Sequence, residues 1–137
     1  MAEAHPDAIE EQLYDFVYDY EAAFDRAAQE TGLSAAQACL LLQLRRGSRT
    51  MGDLAVELVC DASNVTQLVG RLEARGLVAR EPDPADRRTR RVSITAAGRR
   101  QRRAIEQVFT FPAERIGRLT DAEQRQLREL LAKVMAV

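Results

Sequence analysis

At 137 residues, 46% hydrophobic and 30% charged, the chain suits one domain with a real core and is too apolar for a disordered tail. No apolar run approaches the roughly 18 residues of a membrane span, and the acidic N-terminal MAEAHPDAIEEQ lacks the basic-then-apolar layout of a signal peptide, so a cytoplasmic location is expected. Two cysteines, Cys39 and Cys60, suit a reducing compartment and exclude a disulfide scaffold. The net charge of -1 conceals a division along the chain. Residues 1–31 carry nine acids and one base, whereas residues 71–103 carry eleven arginines and four acids. A basic stretch of that size is a candidate phosphate footprint, although in general a charge run is a solvated face.

Residues 8–30 predict a helix, with Ile9, Leu13, Phe16, Val17, Tyr20, Phe24 and Ala27 on one stripe at three- and four-residue steps. Gly32 ends it, and Ser34 supplies a cap for a second helix over 35–46. That helix is apolar nearly all round, which marks a buried central spine. After Gly47-Ser48-Arg49 come two helical segments, 51–58 and 62–75, separated only by Val59-Cys60-Asp61. Two helices joined by so tight a turn make a helix-turn-helix, with Asp61 placed to cap the second. Val65, Leu68, Val69 and Leu72 form the buried face of that second helix.

Gly76 stands where a left-handed residue closes a helix. Residues 77–81 and 91–95 read as two strands, joined through Pro82-Asp83-Pro84 and a basic tip. A helix-turn-helix followed by such a hairpin is a winged helix. A further helix starts at 96 and must be kinked or interrupted by Pro112. Thr120 and Glu123 then have the spacing of a capping box opening a last helix over 121–136, striped by Leu127, Leu130, Leu131 and Val134. The expected class is mainly α with a small β-hairpin wing. It is a single domain over 1–137, with a winged lobe at 34–95 flanked by dimerisation helices at 8–31 and 96–136.

In such a fold the second helix of the pair enters the major groove of duplex DNA. Ser63, Asn64, Thr66, Gln67 and Arg71 are the polar positions outside its core face. Asn and Gln pair bidentately with adenine, and Arg with guanine. The bland alternative is that each is ordinary solvated surface. At the hairpin tip, Arg87, Arg88, Arg90 and Arg91 repel one another, so folding alone does not favour them, whereas a narrow minor groove attracts them. Asp86 has the wrong charge for DNA and is expected to pair with a nearby arginine and fix the tip.

The stretch LAVELVCDASNVTQLVGRLEARGLVAREPDPADRRTRRVSITAAG resembles the core of the multiple antibiotic resistance regulator (MarR) family, and with RLTDAEQRQLRELL the likeness covers roughly residues 34–135. The resemblance implies a homodimer joined by its terminal helices, direct binding to double-stranded DNA at a pseudo-palindromic site, and release by a small molecule or an oxidant. It also implies that Arg88 is the wing arginine reaching the minor groove, with Asp86 as its support. Val59 departs from the glycine that members commonly carry in the turn.

A ligand pocket near Tyr14 and Tyr18 is likewise implied by family, packing in a dimer face being the alternative. Cys39 should behave as a small buried hydrophobe. Cys60 is the better candidate for an oxidant sensor, since a nearby helix N-terminus lowers a thiol pKa. There is no metal-spacing cluster, no glycine-rich phosphate loop, and one histidine, His5, far from both cysteines. No metal, cofactor or enzyme activity is expected. The remaining rival, a winged-helix protein adaptor, fits poorly with so basic a wing.

Overall fold

The structure is a computed structural model that describes residues 6–58 and 62–137, with the side chains of 8–58 and 64–137. His5, Val59, Cys60 and the expected cap Asp61 lie outside the described residues. Two compact units form, one from residues up to Ala23 together with Phe109–Val137, the other from Phe24–Val108.

The larger unit starts with the end of helix α1 (Pro6–Glu30) and continues through α2 (Ala35–Gln43), a 3-10 turn (Leu44–Arg46), strand β1 (Arg49–Thr50), α3 (Met51–Glu57), α4 (Ala62–Ala74), β2 (Val78–Pro82), β3 (Arg90–Ile94) and α5 (Ala96–Val108). Ser34 caps α2 through the Gln37 amide, and Gln37 returns the bond to Ser34 N–H, a reciprocal box. The spine expected over 35–46 is thus α-helical only to Gln43. The final turn tightens to 3-10 geometry, ending at Gly47.

Leu40, Leu41, Leu44 and Ala38 of the spine are buried, together with Leu54 of α3 and the stripe Val65, Val69 and Leu72 of α4. Val78, Val92 and Ile105 close the same core from the sheet and α5. Burying a Leu or Val side chain contributes about 1.5–3 kcal/mol each, so this cluster is the main support of the unit. Cys39 sits on the spine but is half-buried, short of the full burial expected.

The sheet has the order β1-β3-β2, all pairs antiparallel. Val78 pairs with Ile94, Arg80 with Val92, and Pro82 with Arg90. Pro82 is tolerated because β2 is an edge strand and the residue ends it. Strand β1 is not among the elements expected from the sequence. Arg49 and Thr50 sit opposite Val92 and Arg91, and a two-residue strand has no alternation to read.

Two glycines are required by geometry. At the end of α4, Gly76 takes φ 73°. Its N–H bonds Glu73 O and Leu77 N–H bonds Leu72 O, which closes the helix. In α5, Gly98 lets the helix rest directly on the start of β2, since a Cβ there would lie 2.0 Å from Leu77 O and 2.7 Å from Ile94 Cγ1. Thr95 prepares that approach, donating its hydroxyl to Gly76 O (2.6 Å) while accepting from Gly98 N–H (3.0 Å).

The smaller unit contains the start of α1 with α6 (Phe111–Ile116) and α7 (Asp121–Met135). Phe16 packs on Phe111, and Tyr20 meets Phe109 edge-on with centroids 5.2 Å apart. The helical break falls at Phe109-Thr110, just before Pro112, which occupies the first turn of α6 where its missing N–H costs nothing. Thr120 and Glu123 form the reciprocal box expected for α7.

Gly98→Ala should destabilise the protein by about 1–3 kcal/mol, the usual cost of forcing extra volume against backbone. Urea unfolding checks this, and an unchanged midpoint would mean that α5 stands farther from Leu77 than described.

Candidate nucleic-acid interface

Burial sorts the side chains of α4. With Val65, Val69 and Leu72 fully buried and Leu68 half-buried, Asn64, Thr66, Gln67 and Arg71 are left exposed. Asn64, Gln67 and Arg71 are three and four residues apart, so they share one face, with Thr66 at its border. Ser63 belongs to α4, but its side chain lies outside the described residues. Cys60, the candidate of the alternative oxidant-sensor reading, lies outside them as well.

The wing is tied to this helix. Glu73 of α4 accepts from Arg80 N–H at 3.2 Å and pairs with its Nε at 3.4 Å, joining β2 to α4. The guanidinium of Arg80 passes over Gly70, where a Cβ would already be in contact at 3.6 Å.

At the tip two turns follow one another, Asp86 N–H to Asp83 O and Thr89 N–H to Asp86 O, closed by Asp83 N–H to Thr89 O. The carboxylates serve the backbone. Asp83 Oδ1 accepts Ala85 N–H at 2.9 Å, and Asp86 Oδ1 accepts Arg88 N–H at 3.0 Å. Asp86 Oδ2 takes the Thr89 hydroxyl. The expected pairing of Asp86 with an arginine side chain therefore takes a different form, because main-chain N–H groups of the tight turn need acceptors more than an exposed guanidinium does. Arg87, Arg88 and Arg90 are exposed, and among the described residues none of their guanidiniums is in an ion pair.

Arg91 is not part of that free set. Its Nε donates to Ser48 Oγ and its Nη2 to Ser48 O, both at 2.9 Å, while Nη1 lies 3.5 Å from Asp83 Oδ2. It clamps the base of the wing to the residue before β1. Reading the four arginines as one repelling cluster missed this, for the partner is 43 residues away in sequence. The two residues following Ser48 continue the bracing. Arg49 pairs with Glu57 across α3 at 3.1 Å, and Thr50 caps α3 by accepting Asp53 N–H while its own N–H meets Asp53 Oδ2. That main-chain bond, then the Thr50 side chain, then the nearby Arg49 and Arg91 hold the Asp53 carboxyl below its ordinary value of 3.8.

Tyr14 and Tyr18 are highly exposed on α1, at 76% and 74%. They share an open recess of about 300 Å³ with Asp15, Val17 and Glu21. Among the described residues, no helix is long and apolar enough to cross a membrane.

A three-stranded sheet with a basic hairpin tip, set against a helix pair with an exposed polar face, is a winged helix-turn-helix protein. The family model described as MarR family matches residues 31–89. The HTH-type transcriptional regulator YkoM of Bacillus subtilis is 31% identical over 113 residues, 79% of this chain and 71% of that protein. The transcriptional activatory protein BadR of Rhodopseudomonas palustris is 41% identical over 78 residues, 54% of this chain and 45% of BadR. Among solved structures, CouR from Rhodococcus jostii RHA1, bound to p-coumaroyl-CoA, superposes with a TM-score of 0.79 at 27% identity, covering 97% of this chain and 95% of CouR. The chain belongs to the MarR family. It spans about half the length of the first curated relatives it matches, 45% and 58%.

The lowered Asp53 pKa has a definite sign. A carboxylate whose folded-state pKa is depressed contributes stability above its ordinary pKa and loses it as pH falls through the lower, folded-state value. An NMR titration should place the Asp53 midpoint below 3.8, and Thr50→Ala should raise it. A midpoint at or above 3.8 would mean that the cap does not form in solution.

Proposed function

We propose that the protein is a homodimeric, sequence-specific regulator of transcription that binds duplex DNA and acts as a repressor released by a small molecule. The observation that carries this reading is the pairing of two exposed surfaces on one scaffold. One is the Asn64, Gln67 and Arg71 face of α4, and the other is the set of wing arginines Arg87, Arg88 and Arg90, left without carboxylate partners among the described residues. The first has the donors and acceptors that read base edges in a major groove. The second has the charge that seeks phosphates or a narrow minor groove. Ser63 and Thr66 complete the proposed contact set, and Asp86 supports the tip through the Arg88 N–H. Regulators of transcription among the relatives support the same reading and favour it over an adaptor or an oxidant sensor at Cys60.

The smaller unit supports self-association. Ile9, Leu13, Phe16 and Val17 of α1, with Leu130 and Leu131 of α7, are each about half exposed. A patch of large apolar side chains on that scale marks an interaction surface, and a second copy covers it symmetrically. Identical recognition helices then meet identical half-sites about 10 base pairs apart. The proposed effector site is the recess beside Tyr14 and Tyr18, whose rings offer apolar faces and hydroxyls to an aromatic ligand. CouR, with its bound p-coumaroyl-CoA, is a relative that holds a ligand of that character.

Sedimentation at micromolar concentration should give dimer, and a clean monomer would refute the self-association. Salt titration of binding to a selected site and to a scrambled duplex tests the two surfaces separately. Gln67→Ala should cost about 1–3 kcal/mol on the selected site and relax specificity there. Arg88→Ala should weaken both duplexes alike and make the salt slope shallower by about one unit. An Arg88→Ala variant with unchanged affinity and slope would remove the wing from the interface.

A further inference from the structure

The segment Ser48-Arg49-Thr50 is tied to more of the winged lobe than its length suggests. Ser48 receives the Arg91 guanidinium at the base of the wing. Thr50 starts α3 through its reciprocal box with Asp53. Arg49 Nη2 reaches Glu57 Oε1, at the far end of α3, at 3.1 Å. Glu57 is the last residue of that helix, on the side from which the chain proceeds to α4. Arg49 itself sits in β1 opposite Val92 of β3. The pair therefore joins the wing sheet to the end of α3 along the whole length of the helix.

The chemistry of the pair makes it sensitive to orientation. The two side chains are largely covered, with relative exposures of 30% and 26%. The contact is end-on, so Arg49 Nε and Glu57 Oε2 are buried without a hydrogen-bond partner. One nitrogen and one oxygen of the pair are shut off from solvent, so removing either side chain leaves the other charge poorly compensated. A small rotation of α3 against the sheet changes the distance across this contact directly. By contrast, the caps at the helix starts bind residues three apart in sequence and are insensitive to it.

We infer that Arg49 and Glu57 are positioning residues for DNA binding, fixing the angle between the wing and the helix pair without contacting DNA. The inference rests on the DNA-binding reading above. It differs from that reading in assigning a specificity role to an ion pair on no DNA-facing surface. A simple stabilising role would change the folded fraction alone. A positioning role changes the affinity of the folded molecules, because the wing arginines and the α4 face no longer meet one duplex together.

The experiment compares wild type with Glu57→Gln, which keeps size and removes charge, and with the swap Arg49→Glu/Glu57→Arg. Each is measured by thermal unfolding, by salt titration on the selected and the scrambled duplex, and by residual dipolar couplings that report the angle between α4 and β3. Expected for Glu57→Gln is a loss of about tenfold in affinity for the selected site, with the salt slope unchanged and the angle shifted. The swap should recover most of the loss. An unaltered angle, or undiminished affinity per folded molecule, overturns the inference. So does a shallower salt slope for the swap without recovery, which would make Arg49 a phosphate ligand. Should the swap fail to fold, the angle and affinity of Glu57→Gln decide alone. Failure of the underlying reading is distinguishable, for wild type would then bind neither duplex.

Discussion

Burial of Val65, Val69 and Leu72 against the α2 spine is the constraint from which the rest of the interface follows. These three side chains are fully covered, and α4 cannot rotate about its axis without exposing them at about 1.5–3 kcal/mol each. Their spacing leaves only one direction for Asn64, Gln67 and Arg71 to point. The direction of this exposed polar face is thus set by apolar packing on the opposite side of the same helix. The Gly76 closure continues this logic. It ends α4 at Ala74 and turns the chain into β2 by Val78, so the wing begins at a fixed distance from that exposed face.

Within the wing the charges are divided by task. Asp83 and Asp86 spend their oxygens on main-chain N–H groups of the tip and on the Thr89 hydroxyl, with Arg91 added at the base. A carboxylate so engaged stiffens the turn and, among the described residues, makes no ion pair with the guanidiniums further out. Arg87, Arg88 and Arg90 consequently keep their donors exposed at the tip. Had the two aspartates instead paired with those guanidiniums, the backbone of the tip would have been looser.

Much of this was legible in the sequence because it is local or periodic. The stripe at 65, 68, 69 and 72, the cap at Ser34, the box at Thr120 and the glycine at 76 each rest on spacings of five residues or fewer, and each element lies where those signals put it. What escaped was long-range or too short to have a period. β1 is two residues long. The Arg91 clamp and the Arg49–Glu57 pair involve side chains whose partners only the fold can supply. The interruption expected at Pro112 fell slightly earlier, since proline suits the first turn of a new helix better than the break itself. The recess beside Tyr14 and Tyr18 has no sequence signal beyond two tyrosines one turn apart.

The polar ties and the apolar core also divide the work of specificity. A core of leucines and valines fixes which elements pack together but tolerates small rotations, because dispersion contacts are numerous and individually weak. A hydrogen-bonded ion pair with few alternatives has a narrower optimum. In this lobe the Arg91 guanidinium hydrogen-bonds Ser48 at the wing base, and ion pairs run from Arg49 across α3 and from Glu73 to β2. Together they connect the sheet to both helices of the pair by contacts that do not lie in the hydrophobic interior. A duplex presents its major and minor grooves at a fixed separation, so a reader with two contacting elements needs its own separation held just as tightly. Apolar burial makes α4 and the wing exist, and on the proposed reading these few polar contacts set the angle at which they meet one DNA molecule.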